Sequence, residues 1–259
     1  MVAKWWAEFN EDGPEIAYFQ RFVQSGQPAL DVACGTGRLL IPYLKAGLDV
    51  DGCDVSSDMI ALCREKAELA GLSPTLFVQP MHELDPPRSY RTIFCCGGFG
   101  LGSDREQDAQ ALRRFFECLE PGGMLILDNE NPYVREYPWR YWVRSERTGI
   151  PRDWPPLEEA ERRRGSDGAE YAQQSRVLDI DPLEQRATYE MRTAMWFEGE
   201  LTREELHRLD LNYYFTNELR LMFADAGFAD IVLHGDHEEK PPTGDSDFVV
   251  LIGKKPVGD

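Results

Sequence analysis

Across residues 29–128 short apolar runs alternate with amphipathic stretches, the pattern of a parallel sheet covered by helices. Five runs read as strands: residues 28–33, 48–54, 75–78, 91–96 and 124–128. The first ends in glycines and the second alternates and ends on Asp54. Helices fill the gaps with recognisable ends. Ser56 or Ser57 is placed to cap a helix whose apolar face is Met59, Leu62, Cys63 and Ala67, and Gly71 stands where a left-handed C-terminal residue is wanted. Ser103 with Glu106 reads as a capping box before Ala109, Leu112, Phe115, Phe116 and Leu119, and Glu120-Pro121-Gly122-Gly123 stops that helix. Signals that agree in this way make an α/β fold the expectation.

The chain is long enough to bury a large core: 259 residues suit one α/β domain with an insertion as well as a pair of domains. Its 46 acidic and 28 basic side chains leave a net charge of −18, which repels phosphate backbones and sets nucleic acid aside as a partner. With 42% apolar residues it is still too apolar for a disordered acidic tail. Residues 1–11 hold one Lys and then acidic residues where a secretory signal needs an apolar core, and no later run approaches a membrane span. A cytoplasmic protein is expected. Cys34, Cys53, Cys63, Cys95, Cys96 and Cys118 show no C-x-x-C spacing and no His at ligand spacing, so they read as reduced core residues. Histidines are few (His82, His207, His234 and His237), and no metal is expected.

Beyond Asp128 the character changes. Residues 131–142 are dense in aromatics (Tyr133, Tyr137, Trp139, Tyr141, Trp142), and 144–170 are rich in charge and proline, which suits a surface loop or short helix. Segments 171–180, 185–197 and 201–214 alternate and favour β structure, so an antiparallel meander is expected. A helix from about Thr216, with Leu219, Met222, Phe223 and Ala226 on one face and Gly227 as its stop, precedes strands near 231–234 and 248–252.

The chemistry lies in Leu30-Asp31-Val32-Ala33-Cys34-Gly35-Thr36-Gly37-Arg38, where two glycines join a strand to a helix and let a ligand approach the backbone at the carboxyl edge of the sheet. Seventeen residues after Gly37, Asp54 closes the second strand, where a carboxylate can accept from both hydroxyls of a ribose. Alone, this pair reads equally well as a tight turn with a solvated acid. Together with Gly52-x-Asp54-x-Ser56-x-x-Met59, Leu119-x-Pro121-Gly122-Gly123 before a strand, and Ala224-Asp225-Ala226-Gly227-Phe228, it resembles the Rossmann-like (class I) S-adenosylmethionine-dependent methyltransferases of small-molecule type.

The resemblance implies a doubly wound, mostly parallel seven-stranded sheet with an inserted antiparallel meander. It implies a helical lid over residues 1–28, a cofactor-binding core over 29–130, an aromatic loop and antiparallel cap over 131–214, and a closing helix and strands over 215–259. It puts the methionine part of S-adenosyl-L-methionine over Ala33, Cys34, Gly35 and Gly37, the ribose on Asp54 and the adenine along Met59, Met81 and His82, and counts Asp31 and Val55 among the cofactor-binding residues. Cys96 and Gly97 then face the sulfonium. Two positions depart from the family pattern: Pro80 stands where an adenine-binding Asp is frequent, and Arg91 where an Asp often opens the fourth strand.

A dinucleotide fingerprint would need a third small residue where Leu40 stands, so NAD chemistry is the weaker reading. A catalytically silent nucleotide-binding protein is a further alternative. If the chain is an enzyme, the expected acceptor is a nitrogen or oxygen of a small molecule. No motif names a base, because transfer from a sulfonium rests mainly on holding nucleophile and methyl in line. The candidates are Glu130 at the end of the fifth strand, His207 within the meander and Tyr213 at its close. His207 reads more readily as an outward polar residue of an amphipathic strand, and Trp5 and Trp6 read also as fasteners of a terminal helix. The antiparallel cap offers a homodimer interface.

Overall fold

The computed structural model describes residues 1–132, 134 and 139–258. These fall into two compact units. One comprises Asp12–Phe99, Asp104–Val134 and Tyr214–Asp259; the other comprises Met1–Glu11, Gly100–Ser103 and the described residues within Arg135–Tyr213.

The first unit is built on a seven-stranded sheet. Its strands are β1 (Ala29–Val32), β2 (Val50–Asp54), β3 (Leu76–Val78), β4 (Tyr90–Cys95), β5 (Leu119–Glu130), β10 (Ala229–Gly235) and β11 (Phe248–Lys254), in the order β10-β11-β5-β4-β1-β2-β3. β1 to β5 pair in parallel, whereas β11 lies antiparallel to both β5 and β10. In the centre Leu30 faces Asp51 of β2 on one side and Ile93 of β4 on the other. Every residue of β1 is buried, as a central parallel strand covered on both faces requires. The chain reverses its direction of travel across the sheet between β1 and β4, and that is where open α/β sheets leave a crevice at the strands' carboxyl ends.

Period-two alternation distributes the core over both faces. Leu30, Ile93, Leu125 and Leu127 join one cluster with Phe115, Leu219 and Phe223, while Ala29, Phe94 and Ile126 join another with Phe19, Leu40 and Tyr43. Each fully buried Leu or Phe contributes roughly 1.5–3 kcal/mol. The covering helices are α2 (Pro14–Ser25), α3 (Leu40–Lys45), α4 (Ser57–Leu69), α5 (Arg105–Cys118) and α7 (Thr216–Asp225).

Three local expectations are corrected. The capping box of α5 is Asp104 with Gln107, one residue later than Ser103 with Glu106, because the Asp104 carboxylate accepts the Gln107 amide at 2.8 Å. α4 buries Ile60 beside Cys63 and Ala67, with Met59 and Leu62 only half covered, a rotation of the apolar face towards the sheet. β5 begins at Leu119 rather than Met124: Leu119 already pairs with Tyr90, and Gly122, at φ +78°, carries the irregularity before regular pairing resumes at Met124. Ser56 caps α4 as expected, accepting the Met59 amide at 3.3 Å.

The second unit holds a four-stranded antiparallel sheet in the order β6-β7-β8-β9, from β6 (Arg163–Arg164), β7 (Glu170–Asp181), β8 (Arg186–Phe197) and β9 (Glu200–Asn212). The meander expected from alternation is therefore present, with Glu198 and Gly199 at positive φ in its second turn. Helix α1 (Val2–Phe9) belongs to this unit, with Phe9 against the Tyr171 ring and Lys4 paired to Asp167. One helical turn, α6 (Arg144–Arg147), lies in the proline-rich stretch. Trp139 stacks on Trp142 at 5.2 Å, and Trp142 packs edge-on against Tyr213 beside buried Tyr141, Val177, Ile180 and Ala187. These aromatics serve as core; Tyr133 and Tyr137 of the same cluster lie outside the described residues.

Candidate cofactor site

The turn after β1 is built from left-handed backbone: Ala33 at φ +59°, Gly35 at +55° and Gly37 at +87°. The two glycines are there for different reasons. A Cβ on Gly37 would come within 2.8 Å of Cys63 Sγ and 2.9 Å of Ile41 Cδ1, so this residue is small to let helix and turn pack. A Cβ on Gly35 would meet nothing within 4 Å, and it opens onto free space above the sheet. Gly97, on the loop after β4, has the same character at φ +69°. The β4 loop lies against the first turn, since a Cβ on Gly98 would fall 2.4 Å from Ala33 Cβ. Two open glycine turns thus flank one crevice.

Asp54 holds its edge. Its Oδ2 accepts the Gly35 amide at 2.9 Å and its Oδ1 the Ser56 amide at 2.8 Å. Burial pushes its carboxyl up, while these backbone donors pull it back. Asp31 lies fully buried in β1, and desolvation raises it well above the carboxylate range, reinforced by Cys63 and Asp54. The Cys34 thiol is held up by its contact with Cys63 and by burial. Val55 is 67% exposed. Met59 occupies the first turn of α4, and Met81 and His82 lie in the 3-10 turn Met81–Glu83 that follows β3.

Cys96, the residue after β4, joins a polar chain that sequence reading did not anticipate. Its Sγ donates to Asp128 Oδ2 at 3.3 Å and lies 3.6 Å from the Arg38 guanidinium, which is itself paired with Glu15 at the start of α2. Asp128 Oδ1 accepts the Gly97 amide at 2.6 Å, and Oδ2 accepts from His237 Nε2 at 2.9 Å. The signals available were Arg38, a cation beside the glycine turn in a strongly acidic chain, and Asp128, an acid ending a strand of apolar residues. Glu15 and His237 lie too far away in sequence to be joined to them without the fold.

The expected cofactor residues Asp31, Ala33, Cys34, Gly35, Gly37, Asp54, Val55, Met59, Met81, His82 and Cys96 thus lie along the carboxyl ends of β1 to β4 or the elements next to them. The acceptor candidates are scattered. Glu130 ends β5 and is exposed; His207 is exposed on β9 opposite Met191; Tyr213 bonds the Tyr189 hydroxyl. His207 and Tyr213 belong to the antiparallel unit. A shallow pocket of about 390 Å³ lined by Asp49, Asp51, Pro74 and Arg88 opens at the other, amino edge of the sheet. Arg88 bonds both Asp49 and Asp51 there, which makes it an ion-pair cluster away from the glycine turns. Among the described residues, no group of three or more His, Cys, Asp or Glu side chains could hold a metal ion.

A glycine turn and an acid closing the next strand, at the edge where the sheet order reverses, define a Rossmann-like α/β domain for a nucleoside-bearing ligand. The open space over Gly35 and the carboxylate at Asp54 fit the methionine and ribose parts of S-adenosylmethionine. The chain carries a methyltransferase domain of the S-adenosylmethionine-dependent, Rossmann-like class: residues 29–123 match the family model described as a methyltransferase domain. It is 25% identical to a putative methyltransferase from Geobacillus sp. (strain WCH70), over 98% of each chain. It is 34% identical to a glycine/sarcosine N-methyltransferase of Halorhodospira halochloris, over 39% of each chain. The fold is that of a sugar N-methyltransferase from Streptoalloteichus sp. ATCC 53650, with TM-score 0.65, 19% identity, and 96% of this chain and 90% of that one covered.

Proposed function

We propose that this S-adenosylmethionine-dependent methyltransferase transfers its methyl group to a nitrogen or oxygen of a small molecule. The observation that carries the reading is the crevice between the open turns at Gly35 and Gly97, bounded by Asp54. The similar glycine/sarcosine and sugar N-methyltransferases support a small acceptor, and the net charge of −18 disfavours nucleic acid.

In this reading S-adenosylmethionine supplies an activated methyl on a good leaving group. The residues then bind, orient and exclude water. Asp54 accepts from the ribose hydroxyls in addition to the Gly35 amide. Ala33, Cys34 and Gly35 let the methionine part lie on the backbone, and Met59, Met81 and His82 flank the adenine. Glu15 of α2, paired with Arg38 behind the glycine turn, supports a lid role for the second part of residues 1–28. The separate antiparallel sheet supports reading 131–214 as a cap distinct from the core over 29–130 and the closing elements over 215–259. The free thiols suit a reducing cytoplasm. Among the described residues no helix is long and apolar enough to cross a membrane. The test is methyl uptake from labelled S-adenosylmethionine by amines, amino sugars and phenols. Transfer to a member of that panel supports the proposal, and transfer only to protein or RNA overturns it.

We propose in addition a homodimer through the antiparallel sheet. β9 is its edge and is exposed over most of its length, Leu201 and Leu206 included, while Asp210 and Asn212 are already bonded to Gly102 and Gly100. Its sequence is self-complementary when two copies run antiparallel about Leu206. Glu204 then opposes Arg208, Glu205 opposes His207 and Leu206 opposes itself.

A further inference from the structure

We infer that Asp128 supplies the negative counter-charge by which this site prefers the sulfonium cofactor to the neutral thioether left after transfer. The inference rests on the cofactor placement proposed above, in which Cys96 and Gly97 face the sulfonium. Asp128 sits on β5, two strands away from the glycine turn after β1, is 4% exposed, and holds both of those residues: Oδ1 accepts the Gly97 amide and Oδ2 the Cys96 thiol. A carboxylate oxygen can only accept, so His237 Nε2 carries the proton of the third bond. Three donors thus converge on the two Asp128 oxygens.

Arg38 is paired with Glu15 and lies 3.6 Å from Cys96, and the imidazole of His237 is boxed in by Tyr18, Phe19 and Phe248. The Asp128 carboxylate thus sits in a place where water screens it weakly. The charge is felt: after burial itself, Asp128 pushes the Cys96 thiol up, against a smaller opposing pull from Arg38. Methyl transfer breaks the S–CH3 bond, and the electron pair stays on sulfur. The cofactor thereby loses its positive charge, and with it the attraction to Asp128. Uptake of the charged cofactor and release of the neutral product are both favoured.

The test is titration calorimetry at pH 8 of the wild type, Asp128→Asn and Asp128→Glu with S-adenosylmethionine and S-adenosylhomocysteine. Asp128→Asn is expected to weaken binding of the first about tenfold while changing the second less than twofold, and Asp128→Glu to retain the preference. Cooperative thermal unfolding reports whether each variant is folded, and Asp128→Ala gives the same ratio if the amide does not fold. Parallel loss of both affinities, or an unchanged ratio, overturns the inference and leaves the cofactor placement intact. Wild-type protein that binds neither compound overturns the placement and the inference together.

Discussion

Asp54, at the end of β2, accepts the amide of Gly35 at 2.9 Å, so the acid proposed for the ribose also fixes the turn proposed for the methionine. The same carboxylate holds the Ser56 amide at 2.8 Å and so ties the start of α4 to the crevice. Asp54→Ala removes an ionised acceptor whose hydrogen bonds are worth about 1.5–3 kcal/mol each. Affinity for S-adenosylmethionine is expected to fall more than tenfold while cooperative thermal unfolding is retained. Unchanged affinity would dissociate Asp54 from the ribose.

Gly35→Val tests the turn from the other side. The position is at φ +55° and opens onto free space, so a valine strains the backbone by about 1–2 kcal/mol and fills the crevice. Loss of measurable cofactor binding is expected, with a fall in Tm of a few degrees. Normal binding would show that the glycine serves the turn alone.

Cys96 provides a test of the local field. Burial first, then the Asp128 charge, push its thiol well above the ordinary value, so the protonated form persists through pH 9. Alkylation by iodoacetamide, followed peptide by peptide in the mass spectrometer, is expected to stay far slower than that of an ordinary thiol at each pH from 7 to 9 and to climb with pH without levelling off. A thiol with ordinary acidity would react roughly tenfold faster for each unit of rise towards pH 8.5 and level off above it. A fast reaction that levels off above pH 8.5 would contradict the described surroundings of Cys96.

For the β9 pairing, Glu204→Lys and Arg208→Glu each place like charges opposite one another twice, and each is expected to be monomeric in sedimentation equilibrium. Mixed together, the two variants regain both opposite-charge pairs, and a heterodimer is expected. Dimers of either single variant, or a wild type that stays monomeric at high concentration, would rule out this register.

What the sequence revealed follows from the range over which its signals act. β1 to β4, the meander and the helix stops at Gly71 and Gly227 rest on local periodicity and left-handed glycines, and these were legible. The α5 cap was misplaced by one residue because Ser103-x-x-Glu106 and Asp104-x-x-Gln107 are both acceptable boxes. Only packing of Asp108, Ala111, Leu112 and Phe115 against the sheet chooses between them. Gly35 and Gly37 look alike in sequence, yet one faces open space and the other Cys63 and Ile41. The chain Glu15–Arg38–Cys96–Asp128–His237 draws on residues spread over most of the chain. Its members become neighbours only when β1, β4, β5 and the β10–β11 connection meet at one edge.

The central claim is that the crevice between Gly35, Asp54 and Gly97 binds S-adenosylmethionine. Titration calorimetry of the purified protein with S-adenosylmethionine, S-adenosylhomocysteine and NAD in parallel tests it directly. Micromolar binding of the first two and none of NAD is the expected result; binding of NAD alone, or of none of the three, would contradict it.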